Sequence, residues 1–245
     1  MSPGCLKIIT NYLENNFMHK LHYCSLIIII LFSCACGNSK STPGHSDTAA
    51  TQTSTTPQPA NTKTILFFGD SLTAGYGLDD PQSEAFPALV QAKIDSAKLS
   101  YKVINGGLSG ETSAGGKGRI DWLLKQKVDI FILELGANDG LRGIPTTETA
   151  QNLQTIIDKV KAKYPDAKLI LTGMMVPPNM GADYATAFKK IFPALAQKNK
   201  MAFVPFLLQN VAGIKELNQA DGIHPTAKGA KIVANNVWAV LKGEI

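Results

Sequence analysis

From Lys63 onward the chain alternates short apolar, β-rich runs with longer amphipathic ones, and this alternation restricts its folded part to an α/β architecture. Five runs predict strands: Thr64–Phe68 ending at Gly69, Tyr101–Ile104, Asp129–Leu135, Lys168–Thr172 and Ala202–Val204. The third is nearly continuous in its hydrophobicity, as a parallel strand covered on both faces must be. Between the runs, apolar residues recur at helical spacing and predict helices over about 84–98, 113–127, 147–164, 184–198 and 226–241. Examples are Phe86, Leu89, Val90 and Ile94 in the first, and Leu153, Ile156, Ile157 and Val160 in the third. The expected fold is a three-layer α/β/α sandwich around a five-stranded parallel sheet, with no internal repeat.

In such a sheet the ligand site lies where strands lead into loops at their carboxyl ends. Three glycine-rich segments fall there: 69–75 (GDSLTAG), 106–110 (GGLSG) and 136–140 (GANDG). None is a phosphate cradle: G-x-x-x-x-G-K-[ST] is absent and residues 106–110 lack G-x-G-x-x-G spacing. The G-x-S-x-G elbow is absent as well. All four cysteines (Cys5, Cys24, Cys34, Cys36) precede position 37, which excludes a disulfide framework, a cysteine-based zinc site and a cysteine nucleophile in the folded part. With one histidine and scattered carboxylates in that part, no metal cage is expected. The formal charge of +5 is spread singly along the chain and carries no nucleic-acid footprint.

The histidine shortage narrows the chemistry further. Of His19, His22, His45 and His224, only the last lies in the folded part. It stands in Asp221-Gly-Ile-His224-Pro225, where Pro225 biases His224 away from helical backbone and suits the first turn of the next helix. Asp221, three residues earlier across a glycine, can fold back onto imidazole Nδ1 and leave Nε2 as a base. Ser71 follows the first strand at a Gly-Asp-Ser turn, and a serine needs such a base to become nucleophilic at neutral pH. Against this stand two blander readings: Ser71 as a helix N-cap and His224 as a satisfied structural residue.

Four blocks in order resemble the SGNH (GDSL) hydrolases: Gly69-Asp70-Ser71-Leu72, Gly110 in Leu-Ser-Gly-Glu-Thr, Asn138 in Gly-Ala-Asn-Asp-Gly, and Asp221-Gly-Ile-His224-Pro. The resemblance spans about residues 64–242 and is strongest to the bacterial arylesterase, acyl-CoA thioesterase I and lysophospholipase L1 group. It implies a flavodoxin-like fold and a serine esterase or thioesterase that needs no cofactor. Ser71 would attack the acyl carbonyl, His224 would move the proton and Asp221 would orient it. The backbone N–H groups of Ser71 and Gly110 and the side-chain amide of Asn138 would form the oxyanion hole. Glycine is expected at 110 so that the peptide can approach the substrate oxygen closely. Asp70 and Asp139 are read as loop hydrogen-bonders, and Glu134, inside an apolar strand, as requiring a polar partner. Arg142 is open between binding an anion and bracing its loop; Met174–Gly181 is open between an acyl-pocket wall and core.

Upstream, Leu26–Phe32 is a seven-residue apolar run after Lys20, too short for a membrane span and suited to a secretory signal. Its end, Ser33-Cys34-Ala35-Cys36-Gly37, resembles a bacterial lipoprotein cleavage site, with Cys36 the better candidate for the lipidated residue and Cys34 the second. Translation from Met18 would give this signal ordinary proportions. Residues 37–62 are mostly Ser, Thr, Pro, Ala, Gln and Asn, a composition that predicts a flexible linker. The expected organisation is therefore a signal over 1–36, a linker over 37–62 and a hydrolase domain over 63–245. The expected location is outside the inner membrane, anchored by lipid and facing the periplasm or the cell surface. Two other functions remain open on sequence: a carbohydrate O-acetylesterase, and a non-catalytic binding domain on the same fold.

Overall fold

The computed structural model describes residues 62–245. The expected signal, the candidate lipidation residue Cys36 and the expected linker up to residue 61 lie outside the described residues. Five strands form one parallel sheet: β1 (Lys63–Gly69), β2 (Tyr101–Gly107), β3 (Ile130–Glu134), β4 (Lys168–Thr172) and β5 (Ala202–Val204). Their spatial order is β2-β1-β3-β4-β5. The chain thus moves outward from β1 to β2, then crosses back to β3, which creates a switch point at the carboxyl ends of β1 and β3. In the register, Gly69 pairs with Gly107 on one side and Glu134 on the other.

The helices are α1 (Ser71–Ala74), α2 (Pro81–Glu84), α3 (Phe86–Ser96), α4 (Ser113–Leu123), α5 (Ala137–Leu141), α6 (Thr146–Lys163), α7 (Ala182–Asn199) and α8 (Ala227–Leu241). Short 3-10 turns occupy Pro178–Met180 and Lys215–Leu217. Helices α3 and α8 pack together over one face of the sheet; α4, α6 and α7 pack in a row over the other. The three-layer sandwich is therefore as the alternation predicted. Ile65–Phe68 of β1 and Ile130–Leu133 of β3 are fully or almost fully buried, so the two central strands are the axis of the core.

Several boundaries differ from those read in the sequence. The helix expected over 84–98 is two helices broken at Ala85, whose extended backbone (φ −62°, ψ 144°) precedes a new first turn containing Pro87. A proline lacks the N–H that a continuing helix would need but suits a first turn. The helix expected over 113–127 stops at Leu123. Strand β2 continues through Asn105-Gly106-Gly107, which composition alone reads as a turn. Gly107 is required there, because a Cβ would collide with the backbone of Ala74 in α1.

Candidate active site

The first loop of the site is shaped by its own sequence. Asp70, not Ser71, is the N-cap of α1: its Oδ1 accepts from the backbone N–H of Leu72 at 3.0 Å. Ser71 is the first helical residue, and Gly75 ends the turn in the left-handed region at φ 78°. The Ser71 hydroxyl is thereby free of capping duty and faces the last loop.

That loop folds as its spacing suggests. Gly222, at φ 72°, turns the chain so that Asp221 reaches back. Asp221 Oδ1 accepts from the backbone N–H groups of Ile223 and His224, and its Oδ2 lies 2.6 Å from His224 Nδ1. His224 Nε2 lies 2.9 Å from Ser71 Oγ, which closes a contact across 153 positions of sequence. Partial burial opposes ionisation of Asp221. The hydrogen bonds from the His224 ring and the two N–H groups, together with the charge of His224, hold its carboxyl down at about 2. The loop is fastened to the first one by Gln219, whose Nε2 donates to the carbonyls of Tyr76 and Pro225. The Tyr76 ring then lies against His224, with centroids 4.7 Å apart. Neither Gln219 nor Tyr76 has a local sequence signal for these roles.

The other two predicted positions also converge here. Among the described residues, no partner accepts from the backbone N–H of Ser71 or of Gly110. Gly110 lies at φ 79°, and a Cβ there would meet nothing within 4 Å. The left-handed backbone at 110 by itself favours glycine there, whatever else approaches that peptide. The Asn138 side-chain amide donates to the Glu111 carbonyl at 3.0 Å and, more loosely, to Asp70 Oδ2 at 3.3 Å.

Of the support beneath these groups, the sequence pointed to Asp139 and left Arg142 open, but did not point to Arg119. The Arg119 guanidinium is ion-paired with Glu111. It also donates to the carbonyls of Gly106 (2.8 Å) and Gly69 (3.3 Å), and covers the Phe68 ring at 4.4 Å. It therefore joins the ends of β1 and β2 to the residue whose carbonyl holds Asn138. Buried Asp139 accepts from the Ser113 N–H and hydroxyl and from the Thr149 hydroxyl, fixing α5 against α4 and α6. Arg142 donates to the Gly110 carbonyl at 3.0 Å, so it braces its loop. Met174 is buried, whereas Met175 is partly exposed, which divides the methionine segment between core and surface.

An apolar recess lined by Leu72, Leu78, Phe86, Leu208 and Val233 adjoins Ser71 and His224. Among the described residues, no group of three or more His, Asp or Glu side chains is arranged to hold a metal ion. The arrangement is that of a base-activated hydroxyl beside unused N–H donors, which suits attack on a carbonyl and stabilisation of the oxyanion that follows.

Residues 67–232 match the GDSL-like lipase/acylhydrolase family. The chain is 41% identical over 186 residues to esterase TesA of Pseudomonas aeruginosa, covering 76% of this chain and 90% of that one. It is 39% identical over 173 residues to thioesterase 1/protease 1/lysophospholipase L1 of Escherichia coli K12, covering 70% of this chain and 80% of that one. Among solved structures it resembles the psychrotrophic esterase EstA from Pseudoalteromonas, inhibited by monoethylphosphonate, with a TM-score of 0.69 and 34% identity. That match covers 74% of this chain and 98% of the other.

Proposed function

The chain belongs to the GDSL-like lipase/acylhydrolase family and is an ester hydrolase, and from that premise we propose that Ser71, His224 and Asp221 carry out acyl transfer. His224 Nε2 takes the Ser71 proton as Oγ attacks the acyl carbonyl; the leaving alcohol or thiol receives that proton; water then repeats the sequence on the acyl-enzyme. Asp221 keeps the Nδ1–H tautomer and stabilises the imidazolium. The N–H groups of Ser71 and Gly110 and the amide of Asn138 receive the oxyanion. The observation that carries this reading is the unbroken chain from Asp221 Oδ2 through the imidazole to Ser71 Oγ, with contacts of 2.6 and 2.9 Å.

The substrates we assign are acyl esters, including aryl and lysophospholipid esters, and acyl thioesters; the names of relatives 36–39% identical to this chain support that range. The test is hydrolysis of p-nitrophenyl esters from acetyl to dodecanoyl by the wild type and Asn138→Ala. Turnover should extend beyond the acetyl ester and fall about 100-fold in the variant. Activity confined to the acetyl ester would favour the carbohydrate O-acetylesterase reading, and unchanged turnover in the variant would remove Asn138 from the oxyanion hole.

The protein is further read as secreted and anchored through lipid on Cys36, with residues 37–62 as a spacer between anchor and enzyme. The support is the apolar run followed by Ser-Cys-Ala-Cys-Gly. Mass spectrometry of the membrane-extracted protein should show a diacylated or triacylated N-terminal peptide beginning at Cys36. An unmodified N-terminus would refute the anchor.

A further inference from the structure

Two buried carboxyl groups lie directly beneath the nucleophile, and the acyl-transfer steps use neither. Glu134 ends β3 and Asp70 follows β1; both side chains are fully buried. Glu134 Oε2 accepts from the backbone N–H of Asp70 at 3.2 Å and from the Thr73 hydroxyl at 2.7 Å. Its Oε1 has no partner among the described residues. The fit against β1 is close: a Cβ on Gly69, the register partner of Glu134, would collide with Glu134 Oε2 and Thr73 Oγ1. Asp70, in turn, caps α1 with Oδ1 and accepts from Asn138 Nδ2 with Oδ2.

Two such groups cannot both be ionised without a cation between them. The charged and titratable groups on the neighbouring elements are Arg119 of α4, Glu111 of the loop after β2, Asp139 of α5 and His224 of the last loop. Arg119 is committed to Glu111 and to two backbone carbonyls, and Asp139 to Ser113 and Thr149. One proton must therefore stay within the pair.

We propose that Glu134 is a positioning residue that works as the neutral acid: it fixes Asp70, and through Asp70 it sets both the turn that presents Ser71 and the direction of the Asn138 amide. The two N–H bonds of that amide are already placed in the free enzyme, one on Glu111 and the longer one on Asp70. The longer bond is the one exchanged for the substrate oxyanion, so Asp70 holds the donor in readiness. Burial favours this division of labour. Burial and the Asp70 charge push the Glu134 carboxyl well above its usual range. Burial brings Asp70 up only to about 6, because the Leu72 N–H, the Asn138 amide and the charge of His224 favour its ionised form. At neutral pH the proton therefore belongs to Glu134.

The inference rests on the acyl-transfer reading of Ser71, and its test separates the two. Glu134→Gln keeps a neutral group of the same shape, whereas Glu134→Ala removes it. On a short p-nitrophenyl ester, Glu134→Gln should retain kcat within about threefold, while Glu134→Ala should lose roughly tenfold to 100-fold in kcat with KM little changed. Thermal stability supplies a readout independent of turnover. A carboxyl whose folded-state pKa is raised contributes most below its unfolded pKa, and that contribution is lost as pH rises toward the folded value. The melting temperature of the wild type should accordingly fall relative to Glu134→Gln between pH 5 and pH 9. Glu134→Gln losing tenfold or more at neutral pH, or showing no widening stability difference, overturns the proposal even where Glu134→Ala fails to fold. Full kcat in folded Glu134→Ala overturns it as well. Ser71→Ala in the same assay reports on the nucleophile alone, so retained turnover there would defeat the underlying reading rather than the role of Glu134.

Discussion

Ser71→Ala is expected to reduce ester turnover by roughly 10⁵- to 10⁶-fold, to little more than what the oxyanion donors achieve with water. The magnitude follows from the absence of a substitute. His224 is the one histidine among the described residues, no cysteine lies beyond Cys36, and His224 Nε2 has Ser71 Oγ as its partner. The fold should be indifferent to the change. Asp70 rather than Ser71 caps α1, and losing one hydroxyl that contacts a partly exposed imidazole costs about 1 kcal/mol or less. The paired measurements are turnover and thermal melting, with fluorophosphonate labelling as a check on the nucleophile. Substantial turnover or undiminished labelling in the alanine variant would place the nucleophile elsewhere. Failure of the wild type to label would favour a non-catalytic binding domain.

Asp221→Asn is the second large effect, on the order of 10⁴-fold in kcat, and its cause is a single misplaced proton. The asparagine oxygen can keep the two backbone N–H groups now held by Asp221 Oδ1, so the loop retains its shape. The amide nitrogen then replaces Oδ2, which lies 2.6 Å from imidazole Nδ1. A donor at that point favours an unprotonated Nδ1 and puts the ring proton on Nε2, where it faces Ser71 as a donor instead of an acceptor. Measuring kcat and KM together distinguishes this from loss of binding: kcat should collapse with KM within a few-fold. An unchanged kcat would mean that the Asp221–His224 contact is merely structural.

The two effects differ in how far they are legible in sequence. Asp221 and His224 are three residues apart across a glycine, so their contact can be anticipated from local chain geometry. Ser71 could be joined to them only because no other base was available and four motif blocks appeared in order. The strands were equally local: continuous apolar runs such as Ile130–Leu133 are buried on both faces. What escaped depends on register and on approach between distant segments. That Glu134 faces Gly69, and that Arg119 reaches the carbonyls of Gly69 and Gly106, follows from strand pairing that no local pattern encodes. The extension of β2 through two glycines is a case in which tertiary packing overrides composition, whereas the break at Ala85 carries a local signal in Pro87. At Gly110 residue type alone does not separate a need for close approach from a need for positive φ, and only the backbone conformation reveals the second.

Apart from its ion pair with Glu111, Arg119 braces the site through main-chain carbonyls, which every residue possesses, and Gln219 and Arg142 do the same for their loops. Exposed apolar side chains of the same segments, such as Leu108 and Leu141, take no part in these attachments. A lineage carrying this scaffold can therefore exchange these exposed side chains one at a time without loosening the frame that holds Ser71, His224 and Asp221 together.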